Sequence, residues 1–207
     1  MKMLKKIAAA IMAVAMATLM LTACGEDSAP SYRLQKIVEA NQKTGKTYVE
    51  VEANGNNTAF ATNGKDSYVA LPMQNSNNKM EIVAKESGTY ILYPNVNGYV
   101  KADGYSKVAG SVDAVVPSQS KLNGIAVVPQ YEIKNVGTFY AEVITAEGGK
   151  VAYCFDGDKV VYVVIEESNN TTVITTVIKV NKWTNEIPEE IQNKMALKGY
   201  TEIQSAQ

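Results

Sequence analysis

Histidine is absent from this 207-residue chain, and arginine occurs only once, at Arg33. Without histidine the chain cannot form a Ser-His-Asp or Cys-His catalytic site, and it lacks a ligand found in most zinc sites. A single arginine also argues against nucleic acid as a partner, because arginine supplies the bidentate contacts to phosphates and bases. These absences exclude several classes of enzyme before any motif is considered.

The first 23 residues have the pattern of a secretory signal peptide. Three lysines form a basic start, and an uncharged run follows from Ile7 to Ala23. Leu21-Thr22-Ala23-Cys24 resembles the lipobox of bacterial lipoproteins, which implies cleavage before Cys24 and acylation of this cysteine, for example with palmitate. We therefore expect a signal peptide at 1–23, a lipidated tether at 24–30 and a location in the cell envelope, outside the cytoplasm.

An uncleaved signal anchor is the alternative for this segment. As a helix, the seventeen residues from Ile7 to Ala23 span roughly 25 Å, at about 1.5 Å per residue. A hydrocarbon core is about 30 Å thick. The run is also rich in alanine and methionine, which favours cleavage and attachment to the membrane through acylated Cys24.

The charge and the cysteines limit the possible partners further. Without the three lysines of the predicted signal peptide, seventeen basic residues stand against 21 acidic ones. This balance lacks the basic surface that a phosphate backbone requires, so we predict no nucleic-acid partner. With Cys24 acylated, Cys154 has no partner for a disulfide, and its apolar neighbours predict a buried free thiol. No cofactor and no metal site are predicted.

Most of the remaining chain alternates polar and apolar residues, as β-strands with one wet face do. Val49 and Val51 alternate with glutamates, and Asn54-Gly55 predicts a tight hairpin. Strands and turns then recur about every ten residues, which indicates an antiparallel meander. Residues 102–130 interrupt this rhythm with glycines and prolines, and we expect irregular or short helical pieces there, with the next strand beginning at Tyr131.

The predicted fold is mainly β (α+β). About ten strands rarely stay flat, so we expect a curled antiparallel sheet or an incomplete β-barrel. Leu34, Ile37 and Val38 have helical spacing, which predicts an N-terminal helix. Glu189–Leu197 predicts a second, short helix that Gly199 closes.

The chain resembles the LolA/LolB-like lipoprotein carriers and their relatives among Gram-positive lipoproteins. The resemblance rests on the helix end at Lys43–Lys46, the strand end at Tyr90–Pro94, and Phe155–Val161, followed by Pro188 and Gly199-Tyr200. It implies one half-barrel domain over residues 31–207, whose concave apolar interior lies under a helical lid. Relatives use that interior for acyl chains or lipid-modified proteins.

The candidate ligand-binding residues are apolar and tyrosine side chains of predicted strands. Strands that are apolar on both faces, such as Thr89–Tyr93 and Lys159–Ile165, need cover on both sides, which a lid or a ligand supplies. The candidates are Tyr68, Tyr90, Leu92, Tyr153 and Tyr162. We expect non-enzymatic binding of a lipid or acyl chain. The alternative is a protein–protein interaction module with a filled, ligand-free core. The oligomeric state is not predicted.

Two acidic motifs have structural explanations. Asp156-Gly157-Asp158 contains oxygen ligands for calcium, but the spacing of an EF-hand loop is missing, and a hairpin turn explains the same residues. Glu50 and Glu52 lie about 7 Å apart on one strand face, near a glycosidase spacing. Such an enzyme needs one acid in a dry pocket, and we expect an exposed acidic face here.

Overall fold

The computed structural model describes residues 32–73, 78–102, 116–117, 119–146, 148–168 and 172–203. The predicted signal peptide, Cys24 and the tether lie outside these residues. The chain forms two compact units. Among the described residues, unit 1 comprises residues 32–40 and those between 116 and 180, and unit 2 comprises those between 41 and 102 and residues 181–203.

Strands dominate the described residues, and the predicted mainly β fold is confirmed. The helices are α1 (Arg33–Thr44) and α2 (Glu189–Met195), with short 3-10 helices at Pro94–Val96 and Gln119–Leu122. The strands are β1 (Thr47–Ala53), β2 (Asn56–Thr62), β3 (Ser67–Pro72), β4 (Lys79–Lys85), β5 (Gly88–Tyr93), β6 (Gly98–Ala102), β7 (Ala126–Ile133), β8 (Gly137–Ala146), β9 (Gly149–Asp156), β10 (Lys159–Ser168), β11 (Val173–Thr184) and β12 (Thr201–Glu202). The sequence-based prediction missed β12, which has only two residues.

Strand β7 differs most from its prediction, because it begins at Ala126 and not at Tyr131. It includes Pro129, and its register with β8 shifts between Val128 and Tyr131. Among the described strands, β7 has a neighbour on one side only. Proline is tolerated at an edge and beside a bulge, since it has no N–H to donate to a ladder.

In unit 2 the strand order is β12-β6-β5-β4-β3-β2-β1. Neighbours are antiparallel except for the parallel pair of β12 and β6. The β1–β2 hairpin turns at Asn54-Gly55, where φ is 52° and 74°. Both residues occupy the left-handed region that a two-residue type I′ turn requires, so the predicted hairpin is confirmed.

One face of the unit 2 sheet packs against α2. Ile187, Ile191 and Met195 join alternate residues of five strands in one buried apolar cluster. The α2 face is defined by the strand residues of this cluster: Tyr48, Ala59, Ala61, Tyr68, Ala70, Val83, Tyr90 and Leu92. The short helix predicted after Pro188 is therefore confirmed, and it packs on this face of the sheet.

Helix α2 ends at Met195, two residues before its predicted end. Leu197 and Gly199 have φ of 55° and 83°, in the left-handed region where an α-helix cannot continue. On the other side of the unit 2 sheet, Val49, Phe60 and Ile82 are fully buried. Both faces of these strands are thus shielded from solvent, as their apolar composition predicts.

In unit 1 the strand order is β11-β10-β9-β8-β7, and all neighbours are antiparallel. The Tyr131 hydroxyl of β7 donates to Glu166 Oε1 of β10 at 2.8 Å, although β8 and β9 lie between these strands. In a flat sheet β7 and β10 would be about 14 Å apart, at about 4.8 Å per strand. The predicted curl is therefore confirmed within this unit. Cys154 is a buried free thiol, as predicted.

The N-terminus of α1 is capped by Glu142 of β8, which is fully buried. The backbone N–H groups of Arg33 and Leu34 donate to its two carboxylate oxygens at 2.7 and 2.8 Å. A carboxylate satisfies orphan donors and favours the positive end of a helix. The Arg33 guanidinium lies 4.3 Å from the centroid of the Tyr140 ring and donates to the carbonyl of Gly157. The arginine therefore joins α1 to the unit 1 sheet.

Candidate ligand-binding site

A cavity of about 370 Å³ lies on the α2 face, within unit 2. Strand residues line one side of it and α2 lines the other. The lining residues are Tyr48, Glu50, Asn57, Thr58, Ala59, Tyr68, Ala70, Lys79, Glu81, Asn181, Glu190, Ile191 and Lys194. The wall contains five charged groups, so its chemistry differs from the apolar interior that the sequence predicts.

Lys194 joins α2 to the sheet beside this cavity. Its Nζ lies 3.0 Å from Glu81 Oε1 and 2.8 Å from Glu190 Oε1. Burial alone would lower the pKa of Lys194, but the hydrogen bonds and charges of Glu190 and Glu81 outweigh burial and raise it above its ordinary value. The Lys194 hydrogen bond holds the pKa of Glu190 below its usual range. The lysine is thus charged at neutral pH and pairs with an acid on each element.

A second lysine contact holds the end of α2. Lys85 Nζ donates to the backbone carbonyl of Met195 at 2.8 Å and pairs with Asp66 at the same distance. Cations near a helix C-terminus are favourable, because the last carbonyls carry partial negative charge. Helix α2 is therefore fixed by two lysines and by its apolar side chains.

Two tyrosines bring hydroxyl groups to the cavity region. Tyr68 is 2% exposed, and its pKa is raised by burial, by the charge of Glu81 and by a hydrogen bond to the Glu81 carboxylate. The Tyr48 hydroxyl donates to Glu50 Oε1, and burial together with this hydrogen bond raises the pKa of Tyr48. Glu50 is half-buried against the cavity, whereas the sequence predicted an exposed acidic face. Both phenols remain neutral across the physiological range.

Glu81 is a buried acid at the cavity. Its Oε1 accepts a hydrogen bond from Lys194, and the residue is 8% exposed. Its Oε2 is buried and has no hydrogen-bond partner among the described residues. A buried acceptor without a partner costs about 1–3 kcal/mol, and more when it is charged. This oxygen is also closed to solvent, so a molecule in the cavity does not reach it while the surrounding side chains stay in place.

The structure distributes the five predicted ligand-binding residues over three surfaces. Tyr68, Tyr90 and Leu92 belong to the α2 face, and of these Tyr68 lines the cavity. Tyr153 and Tyr162 lie in unit 1 on opposite faces of the sheet, because Tyr162 pairs with Cys154 and Tyr153 with Val163. The residues that sequence reasoning missed are Glu81 and Lys194. The local signal for Glu81 is that it is a charged residue on the same strand face as the buried Val83.

The acidic motif that resembles a calcium site forms a turn. Asp156-Gly157-Asp158 makes the turn between β9 and β10, as the hairpin interpretation predicted, and both aspartates are exposed. Among the described residues no three acidic or cysteine side chains are grouped so that they would hold a metal ion. No described helix is long and apolar enough to cross a membrane.

No protein-family model matches this sequence, and no curated protein matches it either. Several solved structures are similar in fold. The alignment with MucB covers 77% of this chain and 60% of MucB, with 12% sequence identity and a TM-score of 0.43. The alignment with LprF from Mycobacterium bovis covers 78% of this chain and 97% of LprF, with 13% identity and a TM-score of 0.40. The alignment with NE2245 from Nitrosomonas europaea, a protein of the LolA superfamily, covers 78% of this chain and 97% of NE2245, with 11% identity and a TM-score of 0.32. These likenesses concern the fold alone and carry no inference about a ligand.

Proposed function

We propose that this protein is a non-enzymatic, lipid-anchored component of the cell envelope that binds an amphiphilic ligand on the α2 face of unit 2. The observation that supports this most is the contact between a polar cavity and an apolar surface. Five residues belong both to the cavity lining and to the buried apolar cluster: Tyr48, Ala59, Tyr68, Ala70 and Ile191. A ligand with a polar head and an apolar chain matches this arrangement.

The cavity is large enough to hold a polar group. Ligand pockets usually measure about 300–1,000 Å³, and about 370 Å³ lies near the lower limit. Its charged lining suits a polar group. An acyl chain therefore belongs on the neighbouring apolar cluster, where α2 now lies.

The energetics allow a chain to replace α2. Burying Ile191 and Met195 of α2, together with Ile187 just before the helix, contributes about 1.5–3 kcal/mol for each residue, or about 4.5–9 kcal/mol in all. A twelve-carbon chain buries comparable area, at about 0.8 kcal/mol per methylene, or roughly 10 kcal/mol. A seven-residue helix is also unstable without such contacts. We infer that α2 is a lid and that the acyl chain of the ligand displaces it.

The acids of the cavity support binding more than catalysis. Glu81 and Glu190 are paired with Lys194, and Glu50 accepts the hydroxyl of Tyr48. An acid that transfers protons must instead contact a substrate. The absence of histidine from the sequence supports the same conclusion.

Loosening the lid tests the proposal. Met195→Ala weakens the packing of α2 by about 2–5 kcal/mol, and a ligand that needs the open lid then binds at least about tenfold tighter. Ile133→Ala is the matched control, because it removes a buried side chain from unit 1. We expect native mass spectrometry with dodecylamine and dodecanol to show tighter binding only for Met195→Ala. No uptake by either variant or by the unmodified protein would contradict the proposal.

The anchor is tested separately. Mass spectrometry of the unmodified protein isolated from membranes should show a chain that begins at an acylated Cys24, and Cys24→Ala should carry no acyl group. An unmodified protein that keeps its first 23 residues and has no acyl group would favour the uncleaved signal anchor.

One observation favours a second candidate function, a protein–protein interaction module. Tyr68 and Met195 are each 2% exposed, so α2 already covers the apolar cluster without a ligand. A surface of unit 2 would then dock another envelope protein while α2 stays in place. Absence of amphiphile binding in all variants, with α2 still folded, would favour this alternative.

A further inference from the structure

We propose that Asn54 and Asn123 are sites of spontaneous modification, at which the asparagine side chain is converted into aspartate and isoaspartate. Asparagine followed by glycine favours this reaction, because glycine has no side chain to hinder the approach of its backbone nitrogen. The sequence contains four such pairs, which are Asn54-Gly55, Asn63-Gly64, Asn97-Gly98 and Asn123-Gly124. The structure gives these pairs different surroundings, so they should react at different rates.

The reaction needs only water. The backbone nitrogen of Gly55 loses its proton to a base in solution and attacks Cγ of Asn54. The new N–Cγ bond closes a succinimide ring, while the bond from Cγ to Nδ2 breaks and the side-chain nitrogen leaves as ammonia. Water then opens either carbonyl of the ring, which yields aspartate or isoaspartate. Ring closure requires a free asparagine side chain, a free glycine N–H and rotation of the peptide between them.

Asn63-Gly64 is exposed, but both of its reacting groups are hydrogen-bonded. Asn63 Oδ1 accepts the backbone N–H groups of Lys65 and Asp66 at 3.0 and 2.7 Å. The backbone N–H of Gly64 donates to Thr62 Oγ1 at 3.2 Å. Ring closure at this pair therefore requires that three hydrogen bonds break first.

Asn97-Gly98 is restrained by two neighbouring strands. The carbonyl of Asn97 belongs to the peptide that must rotate, and it accepts the backbone N–H of Thr201 at 2.9 Å. Gly98 is buried and pairs with Tyr93 in the ladder between β5 and β6. This pair should therefore also react slowly.

Asn54 and Asn123 lack these restraints. Neither asparagine side chain and neither following glycine N–H has a hydrogen bond to another described residue. Both pairs are exposed, with open space beside Gly55 and Gly124. Rotation at Asn54 is opposed by one exposed hydrogen bond, from Asn56 Nδ2 to the Asn54 carbonyl at 3.1 Å. Four identical dipeptides thus divide into two free pairs and two restrained pairs.

Conversion at Asn54 changes a turn beside the proposed ligand site. The two strands that this turn joins contribute Glu50, Asn57 and Thr58 to the cavity wall. Isoaspartate carries the backbone through the side-chain carbon and so lengthens a two-residue turn, and either product adds a negative charge at its apex. Because turn length sets the register of a hairpin, the modified β1–β2 pair differs in backbone geometry as well as in charge.

Peptide mapping by mass spectrometry tests the inference. The purified protein is incubated at pH 8, the four sites are compared in the same sample, and electron-transfer fragmentation distinguishes isoaspartate from aspartate. We expect Asn54 and Asn123 to react at least about tenfold faster than Asn63, because ring closure breaks three hydrogen bonds at Asn63. In urea all four sites should react at similar rates, since unfolding removes the restraints.

Thr62→Val is the matched variant. It removes the acceptor of the Gly64 N–H and keeps the shape of the side chain, so Asn63 should react at least about threefold faster, with Asn54 unchanged. Thr62→Ser keeps the hydroxyl and should leave Asn63 protected. An unchanged rate at Asn63 in Thr62→Val would contradict its protection by this hydrogen bond. Reaction at Asn54 and Asn123 no faster than at Asn63 in the folded, unsubstituted protein would overturn the inference, whether or not the variants fold.

Discussion

Replacing Lys194 by methionine should destabilise unit 2 much more than replacing its partner Glu81 by glutamine. The side chains of Lys194 and Glu81 are 12% and 11% exposed and lie 3.0 Å apart, so their ion pair is largely desolvated. The second partner, Glu190, is 77% exposed. Methionine preserves the apolar stem but leaves Glu81 buried without an ion-pair partner among the described residues.

The magnitudes follow from this asymmetry. Removing one member of a buried ion pair costs about 3–5 kcal/mol, because a buried charge is left uncompensated. Glu81→Gln leaves Lys194 paired with Glu190, so the loss is that of one charged hydrogen bond, about 1.5 kcal/mol. The double variant carries no orphan charge at Glu81. It should therefore be more stable than Lys194→Met alone by about 2 kcal/mol.

Urea unfolding followed by tryptophan fluorescence measures these differences. Trp183 is the only tryptophan of the chain and lies in unit 2, so its signal reports on the unit that contains the pair. Equal costs below about 1 kcal/mol for both single variants would show that solvent screens the pair, and it would then not hold α2 on the sheet.

Three further predictions concern other buried groups. Glu142→Ala should destabilise unit 1 by about 2–3 kcal/mol, because two helix N–H groups lose their acceptor. Circular dichroism during urea unfolding measures this change in stability, and a loss under about 0.5 kcal/mol would contradict the capping role. Burial raises the pKa of Tyr68, so its contribution to stability is complete below about pH 10 and is lost as the pH rises further. Tyr68→Phe should flatten this alkaline loss in pH-dependent melting, and an unchanged slope would contradict it. Burial also raises the pKa of the Cys154 thiol to about 11, so the folded protein should not react at Cys154 with Ellman's reagent at pH 8; rapid labelling in the absence of urea would refute this.

Local signals in the sequence were sufficient for most of the strands. Asn54-Gly55 predicts its hairpin because both residues tolerate the left-handed backbone that the turn needs. The sequence predicts too late a start for β7, because a proline such as Pro129 usually ends a strand. It is tolerated there only through the edge position and the bulge, and both depend on tertiary structure.

The candidate site was harder to predict, for two physical reasons. Glu81 and Lys194 are separated by 113 residues, so no local pattern indicates that they pair. Tyr153 and Tyr162 would oppose each other on one face if the β9–β10 register continued from the Phe155–Val160 pair. A bulge between Val160 and Tyr162 instead moves Tyr162 opposite Cys154. One extra residue thus transfers a side chain to the other face of a sheet, and its presence cannot be read from alternation alone.

Hydrogen exchange of α2 with and without dodecylamine tests most directly whether the chain of an amphiphile takes the place of this helix. The amides of residues 191–195 should exchange at least about tenfold faster in the complex, while those of β2 and β3 remain protected. Unchanged exchange in α2 at saturating, bound dodecylamine would contradict the account, because the ligand would then lie elsewhere on the protein.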